Sequence, residues 1–301
     1  MRTLLLYAED QAQPARQLAE AAGITAAPVL SHRFPDGELK LTLPFASTDD
    51  APAQLVIYRS LHQPNEKLVE LLLIAGQART WGVRRIVLVA PYLAYMRQDI
   101  SFHPGEVVSQ RVLGRVLAQS FDALITVDPH LHRVATLDEA VPLPQALALS
   151  AAPALAEHVG RALGARSLLL VGPDSESAQW IASAAATLGC EHAVCSKVRR
   201  GDHHVEVSLP DVDVRQRAVV LLDDIASSGH TLAEAARGLL ARGAASVDVA
   251  VTHALFAQGA LALVRDAGVR HIWSSDAVAH ETNAVPLAPL LAPALLSTLQ
   301  A

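Results

Sequence analysis

The densest run of chemistry-bearing side chains is VVLLDDIASSGHTL, residues 219–232. Four apolar residues lead to Asp223 and Asp224, then to Ser227, Ser228, Gly229, His230 and Thr231, and an amphipathic pattern follows. Carboxylates accept hydrogen bonds from sugar hydroxyls, while hydroxyls and free N–H groups at a helix start hold an anion. A strand that stops at the aspartates, a polar turn and a helix N-cap would read the same way. Both readings are open on these residues alone.

Five further segments carry reactive groups. RFPDGELKL (33–41) sets Phe34, Asp36 and Glu38 around an Asp-Gly turn of the kind that joins hairpin strands. APYLAYMRQD (90–99) puts Arg97, Gln98 and Asp99 just after an apolar run. TVDPHLHR (126–133) and GPDSES (172–177) place His130 and Asp174 after two more such runs. SKVRRGDHHVEV (196–207) concentrates Lys197, Arg199 and Arg200 in a chain of formal net charge −6. Taken singly, these are a hairpin turn, an interface turn, a structural histidine and a solvated basic hairpin. No P-loop, no G-x-G-x-x-G after a strand, no H-E-x-x-H and no G-x-S-x-G is present.

The positioning elements come from one recurring pattern of helix, glycine and short apolar strand. GVRRIVLVAPY (82–92), GARSLLLVGPD (164–174), GAASVDVAVTH (243–253) and GVRHIWSSD (268–276) all follow it. Continuous apolar strands alternating with helices predict parallel sheets covered on both faces. Leu232, Ala235, Ala236, Leu239 and Leu240 keep helical spacing, as do Val112, Leu113, Val116 and Leu117. The likeness of 82–92 to 164–174 predicts two related doubly wound α/β domains. The Ala/Pro-rich stretch 137–155 is their expected junction, giving domains of 1–145 and 146–301, with 285–301 able to pack back on the first. Ligands of open α/β sheets bind outside the carboxyl ends of the strands, where PYLAYMRQD, TVDPHLHR, GPDSES and LDDIASSGHT fall.

Composition narrows the class. The 301 residues are 51% hydrophobic, enough for a sizeable core. An acidic balance argues against nucleic acid as the main partner. Cys190 and Cys195 make neither a disulfide framework nor a zinc site and read as reduced thiols of a cytoplasmic protein. No apolar run is long enough to span a membrane. MRTLLLYAED reads as a first strand rather than a signal peptide.

These six segments, together with NEKLVELLLIAGQAR (65–79), stand in the order found in the ribose-phosphate diphosphokinases (phosphoribosyl diphosphate synthetases), which the chain resembles from Arg33 to Thr231. The resemblance implies type I phosphoribosyltransferase-like architecture in both domains. It also implies transfer of the β,γ-diphosphoryl group of ATP to O1 of ribose 5-phosphate, giving 5-phosphoribosyl 1-diphosphate and AMP. By that resemblance Asp223 and Asp224 grip the ribose hydroxyls and Ser227 to Thr231 wrap the 5′-phosphate. Arg97, Gln98 and Asp99 serve ATP, and Phe34, Asp36 and Glu38 reach the adenine pocket of a neighbouring subunit in a homo-oligomer. His130 and Asp174 are associated with Mg2+, and Lys197 and Arg199 are catalytic, in the K-x-R form of archaeal-type members. Ile100 and Ser101 stand where the family usually has basic residues, and His230 where glycine is common. Two other functions share parts of the pattern: a phosphoribosyltransferase, which needs no ATP segments, and a catalytically silent regulatory homologue, which would make no AMP.

Overall fold

The computed structural model describes residues 2–131, 133–164, 168–199 and 205–301. In chain order it contains β1 (Thr3–Tyr7), α1 (Ala12–Ala22), β2 (Thr25–Pro28), β3 (Leu30–Arg33), β4 (Leu39–Thr42) and β5 (Gln54–Tyr58). Next come α2 (Pro64–Thr80), β6 (Arg85–Ala90), α3 (Ser109–Ser120), β7 (Ala123–Val127), α4 (Leu137–Ala140) and β8 (Gln145–Leu149). The second half runs α5 (Ala152–Leu163), β9 (Leu168–Gly172), α6 (Ala178–Leu188), β10 (Glu191–Val194), β11 (Ser196–Arg199) and β12 (Val205–Ser208). It continues with β13 (Ala218–Ala226), α7 (His230–Ala241), β14 (Ser246–Ala254), α8 (Ala260–Asp266), β15 (Val269–Ser275) and β16 (Asn283–Val285), and closes with α9 (Ala288–Gln300). Two compact units result: residues 1–149 with 287–301, and residues 150–286.

In the first unit TLLLY, QLVIY, RIVLVA and ALITV are apolar at consecutive positions, so both faces must be covered. They form the middle of a parallel sheet of order β2-β1-β5-β6-β7-β8. Leu6, Ile57, Leu88 and Leu124 pack with Leu71 and Ile74 of α2 and Leu113 and Leu117 of α3 in its core. The helical spacing expected around Val112 holds, but its stripe is narrower than the sequence suggested. Leu113 and Leu117 are buried, whereas Val112 is exposed. The stretch 137–155 is more than a junction. The alternation in QALAL lets β8 pair with β7, so the sheet extends to Leu149. The final helix belongs to this unit: Gln54 donates to the Leu299 carbonyl and Arg85 to that of Thr298, each at 2.8 Å.

The second unit repeats the plan. Its parallel sheet has the order β10-β9-β13-β14-β15-β16, and its core joins Val171, Leu221 and Val249 to Leu232, Ala236 and Leu239 of α7. The two related α/β halves expected from sequence are thus both present. In each unit a two-stranded antiparallel hairpin, β3–β4 or β11–β12, follows the edge strand beside the first strand of that sheet. Among the described residues no helix is long and apolar enough to cross a membrane.

Candidate active site

In the second unit the strand carrying the aspartates runs further than its sequence suggests. β13 continues through Asp223 and Asp224 to Ala226, because β14 is equally long and pairs with it to Ala254. The other neighbour stops sooner: β9 pairs with β13 only to Val171↔Leu221. Asp223 and Asp224 therefore ride on a strand supported on one side, level with the turn that follows β9. That turn carries Asp174, which is buried. Ser177 closes it by donating from Oγ to the Asp174 carbonyl at 2.6 Å. Only glycine fits before it, since a Cβ on Gly172 would lie 2.0 Å from Ser177 Oγ.

Three carboxylates so gathered repel one another. Burial first, then the charges of Asp224 and Asp174, push Asp223 well above the usual carboxylate range. Hydroxyl donors or a cation relieve such crowding. Among the described residues no group of three or more His, Cys, Asp or Glu could by itself hold a metal ion. An oxygen-seeking cation that keeps waters and phosphate oxygens needs only one or two carboxylates, and Asp174 fits that use.

The loop after β13 is fixed by Gly229, whose φ of 76° and close neighbours exclude a side chain: a Cβ would stand 3.0 Å from both the Ala260 carbonyl and Val264. As N-cap of α7 it offers no side-chain bond, so the first-turn N–H groups face the loop with Ser227 and Thr231 beside them. Ser228 and His230 are exposed. Lys197 and Arg199 stand on β11 at register positions opposite Val207 and Val205. Their side chains, and all of Arg200, lie outside the described residues.

In the first unit Phe34, Asp36 and Glu38 project to solvent from the tip of the β3–β4 hairpin. The tip is a tight turn, with the Gly37 N–H donating to the Phe34 carbonyl at 2.9 Å and the Glu38 N–H to Asp36 Oδ1 at 3.1 Å. The structure does not bring these three together with the Arg97 segment by any hydrogen bond among the described residues. Arg97 is exposed after β6, and Gln98 donates to the Ile100 carbonyl at 3.1 Å. Asp99 is buried and turns inward: its Oδ1 accepts from Arg133 at 2.7 Å, and its Oδ2 has no hydrogen-bond partner. Arg133 also lies over the Phe102 ring, 5.5 Å from its centroid.

His130 follows β7 on strained backbone. Asp128 and His130 have φ of 39° and 44°, and Asp128 is buried. Non-glycine residues held there cost ~1–3 kcal/mol each, a cost that clusters at functional sites. Sequence reading passed over Asp128 and Arg133. Asp128 had a signal, the acid two residues before His130. Arg133 had none, because its partner lies on another loop.

Comparison with known proteins adds an independent line. The signature of the N-terminal domain of ribose phosphate pyrophosphokinase matches residues 3–120, and that of the phosphoribosyl transferase domain matches 144–291. A ribose-phosphate pyrophosphokinase of Methanopyrus kandleri is 34% identical, over 97% of this chain and 98% of its own. Ribose-phosphate pyrophosphokinase 2 of Archaeoglobus fulgidus is 32% identical, over 92% and 94% respectively. The crystal structure of phosphoribosylpyrophosphate synthetase from Mycobacterium smegmatis superposes with a TM-score of 0.84 at 20% identity, covering 100% of this chain and 99% of that one.

Proposed function

The chain belongs to the ribose-phosphate pyrophosphokinase family, and from that premise we propose how its residues divide the work. The reaction moves the β,γ-diphosphoryl group of ATP to O1 of ribose 5-phosphate: the O1–Pβ bond forms, the bond from Pβ to the oxygen bridging to Pα breaks, and AMP leaves. Ribose 5-phosphate is held by the loop after β13. Asp223 and Asp224 accept from the ribose hydroxyls, and Ser227 to Thr231 with the start of α7 take the 5′-phosphate. What carries this assignment is the pairing of two carboxylates at the strand end with a glycine-defined, uncapped helix start.

ATP is assigned to Arg97 and Gln98, with Asp99 fixing their loop from beneath through Arg133. Phe34, Asp36 and Glu38, exposed at a hairpin tip, serve the adenine of a second copy, which makes the working enzyme a homo-oligomer. Asp174 is the proposed holder of a divalent ion in the second unit, taken as Mg2+ because such hard ions favour carboxylate and phosphate oxygens, and His130 is separately proposed as a Mg2+-associated residue of the first unit. Bound, that ion offsets the charge of the triphosphate. Lys197 and Arg199 supply positive charge as the diphosphoryl group transfers. Because its substrates are soluble phosphate esters, we assign the enzyme to the cytoplasm.

Incubation with ATP, MgCl2 and ribose 5-phosphate should give AMP and 5-phosphoribosyl 1-diphosphate in equal amounts. Failure to form AMP while ribose 5-phosphate still binds would leave the silent regulatory homologue as the answer. Gly229→Ala should raise the KM for ribose 5-phosphate ~10-fold or more while KM for ATP stays within about twofold, because strain and the Ala260 contact deform only the phosphate loop. Arg133→Met should lower the unfolding free energy by about 2 kcal/mol, since it strands a buried carboxylate. It should also raise the KM for ATP, and Arg133→Lys should restore part of both losses.

A further inference from the structure

The first unit holds a cavity of about 780 Å³ that the reaction above does not use. Its place in the fold is informative. Thr3 pairs with Gln54 as Leu168 pairs with Ala218, so the first strand and its central neighbour can be matched residue by residue between the units. On that register Glu9 stands where the second unit has Asp174, and Arg59 stands where it has Asp223. The β3–β4 hairpin and the start of α2 then match β11–β12 and the start of α7. Glu9, Arg59, hairpin residues Ser31 and Arg33, and the first turn of α2 all line the cavity. It is the register twin of the ribose 5-phosphate loop, with a cation in place of a carboxylate.

Two nearly buried cations form part of its wall. Arg59 donates to Asp10 at 2.6 Å and to Glu70 at 2.8 Å, and its Nε has no partner. Lys67 has mostly neutral company: Nζ lies 3.1 Å from the Ser60 carbonyl and 3.1 Å from His62 Nε2, with Asp10 Oδ2 at 4.0 Å. The helix beginning beside them is 17 residues long, and Gln63 at its N-cap makes no side-chain bond to the first turn. Asp10 is the loosest member, with half of its side chain exposed while it bridges both cations. It sits as a ligand anion would.

We propose that this cavity is a second ligand site, which takes a small phosphate-bearing molecule on Arg59 and Lys67 in the place that the Asp10 carboxylate now holds. The choice of phosphate rests on the reading of the loop after β13; the cavity and its cations do not. Asp10 then acts as an internal competitor, which swings toward solvent when the ligand enters.

The chain contains three lysines, Lys40, Lys67 and Lys197, so an amine probe reports each site on its own peptide. Pyridoxal 5′-phosphate suits the purpose. The amine attacks its aldehyde, water leaves, and borohydride delivers hydride to the C=N carbon to fix a secondary amine. Burial, then the charge of Arg59, lowers Lys67 to about 8, so part of it is free amine near neutral pH. Pyridoxal lacks the phosphate and also closes on its own aldehyde as a hemiacetal, so exposed Lys40 sets the reference: the ratio of modification by pyridoxal 5′-phosphate to that by pyridoxal should be roughly tenfold higher at Lys67 of the intact chain than at Lys40. Inorganic phosphate should suppress that modification, and Asp10→Asn should widen the ratio between the two probes. Direct measurement of ribose 5-phosphate binding, with Gly229→Ala as the loop variant, tests the reading of the loop after β13 separately, so failure there leaves the Lys67 result readable. The same probe ratio at Lys67 as at exposed Lys40, indifference to inorganic phosphate, or no modification of Lys67 while Lys40 reacts would each overturn the proposal.

Discussion

Lys197→Ala and Arg199→Ala should each lower kcat by ~10²–10³, the usual cost of removing one group that stabilises charge in a transition state. KM for ribose 5-phosphate should move little, because its assigned holders lie on β13 and the loop to α7. Positive charge is scarce here: only 24 residues are Lys or Arg against 30 acids, and two of them stand two positions apart on β11. Diphosphoryl transfer offers little covalent work to a protein, so alignment and charge neutralisation must carry the rate. Single-turnover measurements with saturating substrates would separate this loss from slow product release. A near-normal rate in both variants would reject these two residues as the source of catalysis.

How much of this could be read from the residues follows from what the residues encode. The parallel sheets were legible because strands buried on both faces must be apolar at consecutive positions, and IVLVA and LLLVG are. The order of the strands was not written in any one segment; it follows from helices that each cross to a neighbouring strand. The loop of Ser227 to Thr231 was legible because a glycine with positive φ and hydroxyls at a helix start leave a compositional trace. The extension of β13 beyond Asp224 was hidden, since only the length of β14 decides it. Asp99 was legible as a residue of the nucleotide segment but not as a buried carboxylate, because that depends on Arg133, 34 residues later. The cavity beside Arg59 left no motif at all, since its likeness to the second unit is one of register rather than of residue type.

The same crowding that suits β13 to its ligand sets up the second large effect. Asp223→Asn should raise the KM for ribose 5-phosphate ~10–100-fold, the cost of losing a charged acceptor for a ribose hydroxyl. It should also make the protein more stable. Asp223 has its folded-state pKa raised by burial, Asp224 and Asp174, so the native state resists its ionisation more than the unfolded chain does. Between the ordinary carboxylate range and that raised value, the native state binds more protons, and stability falls as pH rises. Asparagine is neutral throughout and keeps the Oδ1 that accepts from the Asp224 N–H at 3.0 Å. The variant should therefore unfold at a higher temperature near neutral pH, and its advantage should shrink as pH falls into the ordinary carboxylate range. Ligand or cation binding should narrow the gap by relieving the wild-type repulsion. Thermal unfolding of both proteins from pH 4 to 8, with and without ribose 5-phosphate, tests the sign directly. An asparagine variant that is less stable than wild type at pH 7 would mean that Asp223 is compensated in the native state. Its carboxylate would then be a structural member of the strand rather than one held at a cost for the substrate.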